Sequence, residues 1–256
     1  MLIGESEEEK HMYIIYVGFD DTDTIDADRG TGKLARWFEK ALPDGCRLRG
    51  VVRQQLLVDP AIPYTSHNSS ACALVECPDP SFLDPVIDSA VRHIEGYSLP
   101  GSDPGLCVVS GQDPNLGNLA DFGLTCTKKV VRQADALKVV NGAHLSGHGG
   151  TDDGIIGAAA AVGLTFHGWS GRFVEYGGLR DFPSPVSVEA LHAAGIIVVS
   201  SDRDAQIPAG DDIVETFGWL RPRLLSGKAV LIVKPKDRGL WESIGRKHRK
   251  DKREET

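Results

Sequence analysis

Asp20-Asp21-Thr22-Asp23 closes a run of β-favouring residues, and three of its four side chains are carboxylates. Clustered carboxylates repel one another, so a fold gains nothing by gathering them unless a cation holds them together. Hard oxygen ligands at a strand end suit Mg²⁺, which commonly arrives with nucleotide phosphates. Asp20, Asp21 and Asp23 are therefore candidate metal ligands. Asp21 and Asp23 are also candidate catalytic groups, and Thr22 is a candidate cofactor contact. The same residues read equally as an acidic turn, with one side chain capping and the others in water.

Arg29-Gly30-Thr31-Gly32-Lys33 follows after a short loop. Glycines entering a helix expose backbone N–H groups, and the helix dipole adds about half a positive charge there. Arg29, Gly30, Thr31 and Gly32 are candidate phosphate contacts, with Lys33 as a candidate catalytic cation. This is not a Walker A loop: Ala27 stands five positions before Gly32, and Leu34 follows Lys33. A flexible turn before an ordinary helix is the alternative. A third segment runs from Ser146 to Gly154. Gly149, Gly150 and Thr151 are placed to wrap a phosphate, and Asp152 with Asp153 offers a second acidic pair for a metal. Thr151 or Asp152 would serve equally as a plain helix cap. Between these lies Asp59 to Ser70, a proline-stiffened polar loop that either faces a ligand or only covers surface. His67, His144 and His148 are candidates for proton transfer, but no Ser-His-Asp or Cys-His arrangement is supported by residue order.

The elements that must position these residues are legible in outline. Met12 to Phe19 is a buried strand, apolar on both faces. Leu34, Trp37, Phe38 and Leu42 recur at i, i+3, i+4 and i+8, giving the helix after Gly30 one apolar stripe. Arg49 to Val58 and Ala71 to Glu76 read as strands and Phe82 to Ile94 as a helix. Leu99 to Gly117 reads as loop with a short strand at Leu106–Val109. Thr125 to Val140 reads as one helix whose inner side carries Val130, Ala134, Leu137 and Val140. Asn141 to Gly150 reads as loop. The helix Ile155 to Val162 is small on every side, so something packs close to it. Composition changes near Gly168–Gly171. Beyond it come a strand (Arg172 to Tyr176), a helix (Val186 to Ala194) and three strands (Ile196 to Ser200, Ile213 to Trp219, Ala229 to Val233). That order suits a small ferredoxin-like α+β unit.

Composition bounds the function classes. With 41% hydrophobic and 25% charged residues, the chain is globular. Its longest apolar run, Ile155 to Leu164, is too short for a membrane span. Met1 to Lys10 is acidic and does not read as a signal peptide. Five cysteines without a CxxC pair offer no zinc site and suit a reducing cytoplasm. A net charge of −8 has the wrong sign for a dedicated nucleic-acid binder. The basic run Arg246 to Arg253 is the exception, and it reads as a solvated terminus.

Phe19-Asp20-Asp21-Thr22-Asp23, Asp59-Pro60-Ala61-Ile62-Pro63-Tyr64 and Gly154 to Gly163 occur in this order over residues 12–235. Together they resemble the catalytic region of the archaeal isoleucine-tRNA 2-agmatinylcytidine synthetase family. Members use ATP and Mg²⁺ to phosphorylate the wobble cytidine of a tRNA and then join agmatine to it. The resemblance implies an unusual kinase-like domain followed by a ferredoxin-like domain. The expected division is an acidic extension (1–11), an ATP/Mg²⁺-binding kinase-like α/β domain (12–170), a ferredoxin-like domain (171–240) and a basic tail (241–256). Two departures stand out. The family's threonine-rich segment, with a threonine that becomes phosphorylated, is reduced here to Gly30-Thr31-Gly32-Lys33, so Thr31 alone could inherit that role. Thr65-Ser66-His67-Asn68-Ser69-Ser70 replaces a Lys-Thr-Arg-Gly-Asn-Gly run and removes two cations. The length of the sequence sets the expectation that the family's OB-fold and zinc ribbon are missing. The expectation is a cytoplasmic ATP- and Mg²⁺-dependent phosphotransferase or ligase with a different, smaller acceptor. A nucleotide sensor, or an RNA-modifying enzyme whose partner supplies tRNA binding, are the alternatives. No membrane partner is expected.

Overall fold

The computed structural model describes residues 12–62, 67–202, 204 and 206–245. The acidic extension, the basic run from Arg246 and the Pro63–Ser66 part of the polar loop lie outside the described residues. The first part of the chain gives β1 (Tyr13–Asp20), α1 (Thr31–Trp37), β2 (Arg47–Gln55), β3 (Ser69–Cys77), α2 (Leu83–Tyr97), β4 (Gly105–Ser110), α3 (Leu116–Cys126), α4 (Gln133–Val139), β5 (His144–Gly147) and α5 (Gly154–His167). β1 lies between β3 and β4 and is antiparallel to both. The sheet is covered on both faces, which is why β1 reads as a continuous apolar run rather than an alternating one.

One face of β1 carries Ile15, Val17 and Phe19, packed on Leu34 and Phe38 and on Val86, Ala90 and Ile94 of α2. On the other face α3 and α5 cover Cys72, Cys107 and Val109. α5 lies almost backbone to backbone on the sheet, and glycines make that approach possible. A Cβ on Gly18 would stand 2.1 Å from the Ala158 carbonyl oxygen, and one on Gly105 would stand 2.0 Å from the Gly154 carbonyl carbon. The small residues of this helix are thus the contact surface that the sequence pattern anticipated, with Ala158 to Val162 fully buried.

The chain continues through β6 (Arg172–Tyr176), β7 (Val186–Ser187), α6 (Val188–Ala193), β8 (Ile196–Ser200), β9 (Ile213–Glu215), β10 (Arg223–Leu225), β11 (Lys228–Asp237) and β12 (Leu240–Ser243). These elements build their own core around Phe173, Leu191, Ile196, Leu224, Leu231 and Trp241. β6 nevertheless pairs with β2 on one side and β10 on the other, so one mixed sheet runs across the expected boundary near Gly168–Gly171. Buried Gln54 reinforces that crossing. Its amide donates to Thr165 Oγ1 (3.1 Å) and the Ser170 carbonyl (3.2 Å), and its oxygen accepts from Ser170 Oγ (3.0 Å). The described residues of 171–240 hold one helix where a ferredoxin-like unit has two.

Several expectations are corrected. The single helix over Thr125–Val140 is two helices, α3 and α4, joined by Thr127 to Arg132. Thr127 Oγ1 turns back to the Leu124 carbonyl, and the Arg132 N–H donates to Asp135 Oδ2 to begin α4. With the phase broken, Val130 and Leu137 are 51% and 59% exposed instead of inward. The stretch His144–Gly147, read as loop, is edge strand β5. β12 occupies the start of the segment expected as a basic tail. Among the cysteines, Cys46 and Cys77 form a disulfide, with Cα atoms 4.4 Å apart, while Cys72, Cys107 and Cys126 are buried thiols.

Candidate functional site

β1 ends at the open edge of a cavity of about 630 Å³. Asp20, Asp21, Asp103 and Asp153 line it, as do Lys129 and Arg132 from the α3–α4 connection and Gln133 at the start of α4. Leu56, Ala61, Ile62 and Asn68 bring the polar loop to the same space, and Thr151, Gly154, Ile156 and Gly157 bring the start of α5. A volume of this order accommodates a nucleotide-sized ligand.

The carboxylates are held by different means. Asp20 points across the sheet face onto α5, where a Cβ on Gly157 would stand 1.7 Å from its Oδ2. Burial, with the neighbouring Asp21 charge adding to it, pushes its carboxyl up to about 8. Asp21 sits in the left-handed region at φ +46°, a conformation Asp tolerates because its short polar side chain bonds locally. Burial raises it to about 6, and the charges of Asp103, Asp23 and Asp153 act in the same direction. Asp103 is tied to this turn through its N–H, which donates to the Asp21 carbonyl (3.2 Å). Its Oδ2 accepts from the Thr151 N–H (3.0 Å) and hydroxyl, while Oδ1 is buried with no hydrogen-bond partner. Gln133 donates to Asp153 Oδ1 (2.7 Å) and the Thr151 carbonyl (2.6 Å), linking α4 to the start of α5.

The residues singled out from sequence divide between this cavity and other places. Asp20, Asp21, Asp153 and Thr151 line it; Asp23 and Asp152 do not. Asp23 turns to the start of α1, where Thr31 Oγ1 donates to its Oδ1 (3.4 Å) and Gly30 lies close. Thr22 and Thr31 are buried and share a hydrogen bond (3.1 Å). Asp152 lies over Gly147, where a Cβ would meet its Oδ1 at 2.0 Å. Arg29 and Lys33 are drawn to the Trp37 ring, at 5.4 and 5.2 Å from its centroid, and Arg29 also donates to the Tyr97 carbonyl. Gly32 lies near Val174, and Gly149 and Gly150 pack beside Pro104 and Asp103. Among the described residues no three His, Cys, Asp or Glu side chains stand close enough to form a metal cluster. Of the five carboxylates expected as metal ligands, Asp20, Asp21 and Asp153 share the cavity, while Asp23 and Asp152 are engaged elsewhere.

Sequence reasoning missed Asp103 and the cationic connection. Asp103 stood in a Pro- and Gly-rich stretch read as loop, and nothing local marked it. Lys128-Lys129-Val130-Val131-Arg132 was a legible cationic run hidden by assigning it to a helix. His144 and His148 join a chain instead of the cavity. His144 Nε2 and His148 Nε2 each lie 2.8 Å from Ser146 Oγ, and His148 Nδ1 lies 3.2 Å from Glu95 Oε1. A Ser-His-Glu contact thus exists although residue order did not suggest one.

The resemblance drawn from the motifs holds in three dimensions. The structure is similar to TiaS in its complex with an isoleucine tRNA and ATP, at 28% identity and a TM-score of 0.51, over 60% of this chain and 36% of that one. It is similar to a tRNA fluorescent labeling enzyme at 28% identity and a TM-score of 0.50, over 59% and 36% of the two chains. TiaS in its complex with the same tRNA, AMPCPP and agmatine gives 25% identity and a TM-score of 0.50, over 72% and 44%. TiaS is an isoleucine-tRNA agmatidine synthetase. The chain therefore spans between 36% and 44% of the length of these structures. No family model and no curated protein matches it.

Proposed function

We propose that the chain is an ATP-dependent enzyme of phosphoryl transfer, with the nucleotide in the cavity at the end of β1. The observation that carries this reading is one cavity lined by four carboxylates together with Lys129 and Arg132. The similarity to structures that hold ATP or AMPCPP supports it. All of the cavity's residues fall within 12–170, which supports assigning nucleotide chemistry to that unit.

Mg²⁺ fits the residues present. It commonly takes one or two carboxylates and fills its remaining positions with phosphate and water. Asp21 and Asp103 would hold it, since their charges oppose each other and Asp103 Oδ1 is buried without a partner. Bound there, the cation supplies charge neutralisation for the phosphates. Lys129 and Arg132 supply matching positive charge from the protein. Leu56, Ile62 and Ile156 exclude water from the apolar part of the cavity. Gln133 fixes Asp153, and burial holds the Asp20 carboxyl above the usual carboxylate range in the ligand-free protein. Phosphoryl transfer needs little more than such positioning and neutralisation.

The acceptor we favour is a small molecule, because the chain's net charge of −8 suits a folded RNA poorly. A second reading, an RNA acceptor, is favoured by the tRNA held in the similar structures. ATP consumption measured against pooled small amines and against bulk tRNA separates the two. Turnover driven by the amines supports the first, and RNA-dependent turnover replaces it with the second. Tight Mg²⁺-ATP binding without turnover in either pool would leave a nucleotide sensor.

A further inference from the structure

Three arginines stand in register on three adjacent strands. Arg53 of β2 is the direct cross-strand partner of Arg172 of β6, and Arg172 is the partner of Arg223 of β10. Directly opposed residues of antiparallel strands share a face, with Cβ atoms about 4.5–5.5 Å apart, and like charges so placed destabilise the sheet. The row therefore works against the fold. Arg53 Nε donates to the neutral Ser69 hydroxyl (2.9 Å). Among the described residues no ion pair involves any of the three. Burial and the neighbouring arginine hold both Arg53 and Arg172 below the usual guanidinium range. Other groupings of arginines among the described residues are compensated: Arg47 and Arg49 share Glu76, and Arg36, Arg180 and Arg221 share Glu175, which lies 3.8 Å from Arg180.

The uncompensated row also has room beside it. Arg53, Arg172 and Arg223 line a cleft of about 290 Å³ with Gln55, Ser170 and Trp169, whose side chain is 60% exposed. None of these residues belongs to the acidic cavity. We propose that this cleft is a second, separate binding site for phosphate groups, in which the three guanidiniums grip the anion and Trp169 offers a stacking face to an attached base. Guanidinium forks match phosphate oxygens in pairs, and exposed aromatic rings beside cations take nucleobases without sequence preference. A free phosphate or nucleotide and the backbone of a single strand present the same chemistry to it.

Thermal melts without Mg²⁺ test the site, with sodium pyrophosphate compared against sodium chloride at equal ionic strength. Pyrophosphate at about tenfold above its Kd raises Tm by roughly 3 °C. Arg172→Gln and the more exposed Arg223→Gln each remove that rise, and each melts higher than the parent in chloride because one like charge is gone. Lys129→Gln, in the other cavity, keeps the rise, so failure of the nucleotide reading and failure of this one are separable. Anisotropy with a short single-stranded RNA then names the source. Salt-sensitive binding lost in Arg172→Gln assigns a strand, whereas a pyrophosphate response without RNA binding assigns a free phosphate or nucleotide. Equal melts in pyrophosphate and chloride, or a rise that survives both arginine variants, would overturn the proposal.

Discussion

Asp20 and Asp21 stand side by side in sequence and are held in different ways, and the difference is measurable as pH dependence. Both carboxyls are raised in the folded protein, to about 8 and about 6 from 3.8. A raised carboxyl binds its proton more tightly in the folded state than in the unfolded one. Its destabilising effect is absent below about pH 4, grows as pH rises through the window and is complete above the folded value. The ligand-free protein should therefore lose stability between about pH 4 and about pH 8, with a slope of up to about 1.4 kcal/mol per pH unit for each proton. Asp20→Asn should flatten the part of that slope above pH 6. Urea unfolding across pH checks this, and equal slopes in parent and variant would show that Asp20 titrates normally. Asp23, of the same motif, turned instead to Thr31 at the start of α1. Thr31 is only 6% exposed, which argues against its serving as a phosphoryl acceptor in this conformation.

The strand and helix framework around those residues was legible wherever apolar pattern and burial agreed. β1, β3, α2 and α5 stand close to where the sequence placed them. Legibility failed where packing overrode local signals. The loop read over Leu99 to Gly117 ran into the start of α3 and residues 118–124 carried no assignment, yet Gly123 is what lets α3 lie on α5, since a Cβ there would come 2.9 Å from Leu164 Cγ. Asp103 was hidden for a different reason: its partners Asp21 and Thr151 are distant in sequence, and pairing at such range leaves no periodic trace. The glycine contacts predict opposite outcomes for one substitution. Gly96→Ala in α2 meets nothing within 4 Å and should stabilise by about 0.5–1 kcal/mol through helix propensity. Gly157→Ala in α5 drives a methyl into the Asp20 carboxylate and should destabilise by about 1–3 kcal/mol. Chemical denaturation of the pair decides it, and stabilisation by both would mean that Asp20 does not rest on Gly157. At the crossing of the sheet, Gln54→Ala leaves Thr165 and Ser170 without their buried partner and should cost about 1–3 kcal/mol. A neutral result would show that the connection at residues 168–171 is not anchored through Gln54.

Across the whole molecule, a single mixed sheet joins an acidic cavity near one end to a row of arginines near its middle. No helix among the described residues is long and apolar enough to cross a membrane. The similarity to the synthetase structures extends over 60% to 72% of this chain, which spans 36% to 44% of their length. The motifs announced that similarity, but they did not announce which acids would meet. Asp152 and Asp23 looked equivalent to Asp153 and Asp21 in sequence, yet Asp152 lies over Gly147 and Asp23 beside Gly30, away from the cavity. In the proposed nucleotide site, Asp21 and Asp103 form the cation-dependent floor. Thermal melts of the parent, Asp21→Asn and Asp103→Asn, each with and without Mg²⁺-ATP, test it most directly. Binding to the folded state should raise the parent Tm by mass action. Each variant should melt at or above the parent without ligand, because one of two opposed charges is gone, and should lose most of the Mg²⁺-ATP-dependent rise. A Mg²⁺-ATP shift of the same size in the parent and in both variants would contradict the assignment.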